Sequence, residues 1–258
     1  MVFTAAVLSC AWIPAHAQTA GTGLQQSLAV SLGAFNESRR DDADSPLTFA
    51  GTGLAERIDY VRAHAGRRWY FSLDGASATV TPLASGVSGQ HNEEFGAYAL
   101  GAGTDWRLRG SSGHAGVFAL GVQLGATLTV TRHFYASDDL TEQTFDLGII
   151  TLAPVARWSR PFGDGLFTAT LALPLLAWVD HPYADVRYAN QFVQFHFVPL
   201  TRFHQADGVL SYEFNLHSRY GVTAAYRVDA VELDELQPVR RFTQSLTVAV
   251  VRRFGSLP

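Results

Sequence analysis

The residues best equipped for acid–base chemistry are His133, Asp146, Asp180, His181 and His204. An Asp–His pair can activate water or a hydroxyl nucleophile. Asp180 and His181 adjoin in sequence, and with His133 they are the catalytic candidates. Their context is thin. No serine stands in a recognisable nucleophile setting, and the alternative reading is ordinary rim polarity. The chain has no HExxH, and Asp138-Asp139 reads as a solvated loop rather than a calcium site. Gly101-x-Gly103 lacks the third glycine of a phosphate-cradling loop. The expectation is therefore no metal and no cofactor. A net charge of −4 offers no basic surface for nucleic acid.

Any such site must be held by strands. The clearest segment is 117–131. Phe118, Leu120, Val122, Leu124, Ala126, Leu128 and Val130 form one face, and Ala119, Gly121, Gln123, Gly125, Thr127 and Thr129 form the other. That is strict period-2 alternation with one apolar face. It is longer than an ordinary strand and long enough to cross a bilayer, which takes about 9–11 residues. The same pattern recurs at 26–36, 54–64, 69–81, 95–109, 145–159, 166–179, 207–218, 221–231 and 241–254, giving ten strands. The apolar faces are continuous, while the opposite faces mix glycine, threonine and charges of both signs. A soluble sandwich would turn its apolar faces inward. Here the pattern suits lipid outside and a packed polar lumen inside.

The connections alternate in length. Short turns are expected at 65–68, 110–113, 160–165 and 219–220, and long loops at 37–53, 82–94, 134–144, 180–206 and 232–240. Short periplasmic turns and long outer loops are the expected arrangement of an outer-membrane barrel. Acidic residues gather in the long loops and arginines at the opposite ends; the chain has no lysine. Trp69, Trp106, Trp158 and Phe254 mark the periplasmic interface and Trp178 the outer one. The alternation points Arg57, Asp59, Asp74, Asp105, Arg107, Arg157, Glu213, Arg227 and Asp229 into the lumen, where opposite charges should pair. Pairing through 110–113 puts Gly101 and Gly103 near Ala119 and Gly121. That leaves a shallow hollow, either filled by a large side chain from the opposite wall or left as a small cavity, and close packing favours filling. The aromatic stretch 180–206 can extend two strands, plug the mouth, or form another hairpin, which would make twelve strands.

Residues 2–13 are mostly apolar and uncharged and precede Ala15-His16-Ala17, a small-x-small pattern. This reads as an export signal over 1–17, with the barrel domain at 18–258. The single cysteine, Cys10, falls inside the signal, so the mature chain has no disulfide. No stretch is apolar for about 18 residues, the length a membrane helix needs.

On these features the chain resembles small to middle-sized bacterial outer-membrane β-barrel proteins. Segment 246–254 resembles the aromatic-ended signal read by the barrel-assembly machinery, except that four residues follow Phe254. Ten strands match the omptin proteases in size, but no omptin motif is present. The resemblance implies an all-β, antiparallel, up-and-down barrel in the cell outer membrane. Its partners would be outer-membrane lipids and the assembly machinery, and the resemblance does not say which ligand, if any, it binds. Two classes of function stay open beside a non-enzymatic narrow channel or structural surface protein. One is a rim hydrolase acting on lipid or peptide; the other is a soluble periplasmic β-sandwich.

Overall fold

The computed structural model describes residues 24–41, 45–83, 91–108, 116–135, 141–180, 195–217, 219–235 and 238–254. The expected signal, Cys10, the turn at 110–113 and Asp138-Asp139 lie outside them. Among the described residues every element is a strand. These are β1 (Gln25–Asp41), β2 (Ser45–His64), β3 (Arg67–Pro82), β4 (His91–Arg107), β5 (Val117–Tyr135), β6 (Thr141–Phe162), β7 (Gly165–Ala172), β8 (Leu176–Asp180), β9 (His196–Val198), β10 (Phe203–His217), β11 (Tyr220–Leu233) and β12 (Val239–Phe254).

All pairings are antiparallel. Neighbours pair in chain order from β1 to β7, then β7 pairs with β10, and β10, β11 and β12 follow before β12 closes on β1. β8 continues β7 along β6, and β9 pairs with β8. The wall is therefore a closed ten-strand barrel with two short strands completing its upper edge. Stretch 180–206 thus extends two wall strands, in so far as it is described. A walk across hydrogen-bonded partners that leaves β1 at Glu37 returns to it at Gln25, twelve residues lower. That stagger tilts the strands by about 40° to the barrel axis.

Alternation decides which side each residue takes. On β5, Leu124 is 54% exposed on the outside while Ala119 is buried inside. Leu28, Val30, Leu32, Leu246, Val248 and Val250 continue the outer apolar surface across the β1–β12 closure. The strands run well beyond the ends the alternation suggested. The expected loop 37–53 is strand at every described residue, strand enters both ends of 82–94 and 232–240, and β5 and β6 reach to Tyr135 and back from Thr141. The physical reason lies in a change of phase. Beyond Ala34 the outward residues turn polar (Asn36, Ser38, Arg40), so the apolar signal vanishes although the backbone ladder continues.

Two positions depart from regularity. The β2–β3 hairpin turns through Ala65 and Gly66, both at positive φ (49° and 79°). Such a turn suits Asn-Gly, and alanine there is strained by about 1–2 kcal/mol. Ala65→Asn is expected to raise the unfolding free energy in detergent by about 0.5–1 kcal/mol, read from a urea titration.

The second irregularity is a seam in the wall. Leu173 N–H donates to Pro154 O (3.3 Å) and Leu175 N–H to Leu152 O (2.9 Å), so this chain stays bonded to β6. The intervening Pro174 faces β10 and has no N–H to give. On the other side, residues 199–202 form a turn in which Arg202 and Phe203 N–H donate to Pro199 O (2.9 and 3.1 Å). Between the paired residues Ala172↔Asp207 and Ala177↔Val198, no backbone hydrogen bond crosses the seam among the described residues.

Candidate functional site

The lumen holds the polar chemistry, stacked in three tiers between the end carrying the chain termini and the end carrying the long loops. The lowest centres on Asp105 of β4, 1% exposed. Its Oδ2 accepts from Arg68 Nε (2.9 Å) and Arg157 Nε (3.0 Å), and its Oδ1 from Arg157 Nη2 (2.8 Å). Arg157 Nη1 continues to Ser159 Oγ (3.1 Å). On the β10–β12 side of this tier, Arg253 binds Glu213 and Asn215.

The middle tier crosses the barrel. Arg57 of β2 donates to Asp59 Oδ2 (2.7 Å) and Asp74 Oδ1 (2.8 Å). From the far wall Arg227 of β11 reaches the same Asp74 oxygen (3.0 Å) and grips Asp207 through two parallel bonds (2.9 and 2.7 Å). Asp229 accepts from Gln205 Nε2 (2.8 Å) and Arg241 Nη2 (3.2 Å). Bidentate geometry and shared acceptors make this a strut between opposite walls. The Arg227 side chain keeps 28% exposure, so the tier meets water.

The third tier, at the long-loop end, is different. Arg39 donates to Glu93 Oε2 and Thr131 Oγ1 (both 2.6 Å), with its guanidinium 5.3 Å above the Phe95 ring. Glu37 is completely buried. Around these charges stand two apolar clusters. One comprises Phe35, Phe49, Ala55, Ala78, Val80 and Phe95; the other includes Leu147, Ile149, Val179, Val198, Phe203, Val231 and Leu233. The lumen is thus a wet polar chamber below and a dry, side-chain-filled core above.

The lumen set read from the sequence is found on the inner face at every position, and the ion pairs join all of it except Arg107. No ion pair is recorded for Arg107 among the described residues. Arg39, Glu93, Asp207 and Arg241 escaped the sequence reading. Continuing the parity of Phe35 would have placed Glu37 and Arg39 inside, and the parity of Glu213 would have placed Asp207 there.

Of the catalytic candidates, only Asp180 and His204 have described side chains. Asp180 ends β8 and His204 points outward from β10. His181 and the side chains of His133 and Asp146 lie outside the described residues. A pair that sequence reasoning did not name is His196 Nε2 with Glu235 Oε1, 2.9 Å apart at the rim. The aromatics sort by end. Trp69, Trp106, Trp158 and Phe254 stand on the outer surface toward the chain termini, and Trp178 packs on Phe197 (6.0 Å) at the opposite end.

The glycine hollow needs a correction. The register pairs Gly101 with Gly125 and Gly103 with Gln123, not with Ala119 and Gly121. The β4–β5 connection is longer than the turn assumed at 110–113, which shifts the pairing. The neighbouring strand β3 fills the space instead of the opposite wall. A Cβ on Gly101 would lie 2.6 Å from Ser72 Oγ, and one on Gly103 would lie 2.4 Å from the Tyr70 hydroxyl. Gly101→Ala is therefore expected to cost about 1–3 kcal/mol. Ser72→Ala should recover most of that loss in the double variant, measured by unfolding in detergent.

No family model and no curated protein matches the chain. Among solved structures it is similar to the translocator domain of the autotransporter NalP from Neisseria meningitidis (12% identity, 91% of this chain and 89% of that chain, TM-score 0.49). It is also similar to the outer membrane protease OmpT from Escherichia coli (9% identity, 93% and 99%, TM-score 0.47). A third is Ail, the attachment invasion locus protein of Yersinia pestis (13% identity, 88% and 98%, TM-score 0.37).

Proposed function

We propose that the chain is an integral outer-membrane β-barrel of the non-enzymatic kind, a structural or surface protein whose lumen is closed at its outer end. The observation that carries this reading is inverted polarity. Large apolar side chains cover the outer wall, while arginines and aspartates pair inside. In water such a surface would aggregate; in a bilayer it is solvated by lipid. Even strand number and the short turns put the start of β1 and the end of β12 on the periplasmic side. The dry core then faces the cell exterior and the wet chamber faces the periplasm.

The filled upper lumen favours a closed barrel over a channel. Ions crossing it would have to displace close-packed Phe35, Phe95, Phe203 and Leu233. Purified protein in planar bilayers is expected to give no conductance steps at any voltage, and stable unitary steps would replace this reading by the channel form. Cell fractionation is expected to place the protein with the outer membrane; recovery in the soluble periplasm would sink the membrane assignment itself.

A further inference from the structure

The arginines of this barrel fall into two classes. Of those facing the lumen, Arg57, Arg157 and Arg227 each meet a carboxylate, and Arg107 is the exception. Those facing outward at the terminal end, Arg62, Arg67, Arg160 and Arg252, have no recorded carboxylate partner among the described residues. Two of them lie on aromatic rings instead. Arg252 sits 5.0 Å from the Phe254 centroid. Arg67 sits 4.6 Å from Trp69 and 5.2 Å from Trp106, and its Nε donates to Thr104 Oγ1 (3.2 Å).

We propose that Arg67, clamped by Trp69 and Trp106 and flanked by Arg62, is a binding site for the phosphodiester of an anionic phospholipid in the periplasmic leaflet. The proposal rests on the membrane reading above. Two indoles and one hydroxyl fix the guanidinium plane, so little rotamer freedom remains to be lost on binding. One donor is committed to Thr104, which leaves the Nη edge to grip two oxygens of a phosphate. Arg62 is paired across strands with Trp69 and projects from the same outer surface, adding a second positive charge. That charge favours a lipid with net negative charge over a zwitterionic one. Directly toward the barrel waist the surface becomes Phe71, Leu73 and Leu100, all exposed and apolar, where acyl chains would lie. A phosphate anchored to hydrocarbon matches this order of charge, ring and apolar wall. A free anion would use only the first part of it.

The test uses the full chain refolded into phosphatidylcholine vesicles with and without phosphatidylglycerol. Flotation with the vesicles and resistance to carbonate extraction come first; failure there overturns the membrane reading. For inserted protein, phosphatidylglycerol is expected to raise the thermal midpoint of the folded band, because ligand bound only to the folded state stabilises it. Arg67→Ala and Arg67→Lys should each lose at least half of that rise, since an ammonium cannot stack and fork as a guanidinium does. Arg40→Ala, at the opposite end of β1, should keep it. The lipid site is overturned if inserted wild-type protein shows no rise, if Arg67→Ala keeps the full rise, or if inorganic phosphate reproduces it in phosphatidylcholine alone.

Discussion

Replacing Asp105 by alanine is expected to destabilise the barrel by about 3–5 kcal/mol, the effect of removing one partner from a buried charge pair. Its carboxylate holds three guanidinium contacts, to Arg68 and Arg157, and is itself almost wholly enclosed. Without it, two arginines face each other below Ala153, Val155 and Ala172, which form a small apolar cluster on β6 and β7. The loss comes from the charges left behind more than from the bonds removed. Asp105→Asn, which keeps the shape and some hydrogen bonding, should fall between wild type and alanine. Adding Arg157→Leu to Asp105→Leu should recover part of the loss, because the most deeply placed unpaired charge is gone. Asp59→Ala is the contrasting control. Arg57 keeps Asp74, and the Asp59 side chain is 31% exposed, so a change of about 1 kcal/mol or less is expected. Urea unfolding in detergent, followed by the shift between folded and unfolded gel mobility, ranks the five variants.

Phe95→Ala is expected to cost about 3–5 kcal/mol, the usual range for emptying a buried aromatic site. Phe95 is stacked on Phe35 (centroids 6.3 Å apart, planes within 5°) and lies under the Arg39 guanidinium. The barrel wall cannot collapse inward to fill the void, since its diameter is fixed by strand number and stagger. The same change has a second readout. Removing both Phe35 and Phe95 should open a water path past Arg39, and a barrel silent in planar bilayers should begin to leak ions. Loss of stability without leakage would mean that the other apolar cluster, around Phe203 and Leu233, seals the outer end alone.

Much of this molecule was legible because a barrel with an apolar exterior and a polar interior follows a simple rule. Where both solvent types are present, as along Phe118 to Val130 of β5, every second residue declares its side. The lumen charges followed at once: Arg57, Asp74, Asp105, Arg157 and Arg227 all have the parity that points inward. The rule fails beyond the apolar belt. There Val80 and Phe95 face inward while Thr79 and Glu94 face outward, the polarity of an ordinary water-soluble protein. The apolar signal therefore changes face partway along β3 and β4, and a reading tuned to one phase takes the second half for loop. Register was illegible for another reason. Parity says which face a residue takes but not which residue lies opposite. The length of the β4–β5 connection set that pairing, so the neighbours of Gly101 came out four positions away. Asp207 was missed because the strand was started at it, and a first residue has no parity to inherit.

The seam between residues 173–176 and 203–206 has a consequence for how the wall breathes. Where neighbouring strands ladder, an amide must break a bond before its proton can trade with water. At the seam that step is already done on one side. Deuterium uptake by reconstituted protein should therefore be faster in a peptide spanning 203–206, whose seam-facing edge carries no ladder, than in β5 and β12, which are laddered on both edges. Under lateral tension the barrel behaves as a hoop with one loosened stave. A pull that would otherwise spread over ten joints concentrates at Pro174, and the wall is expected to part there first.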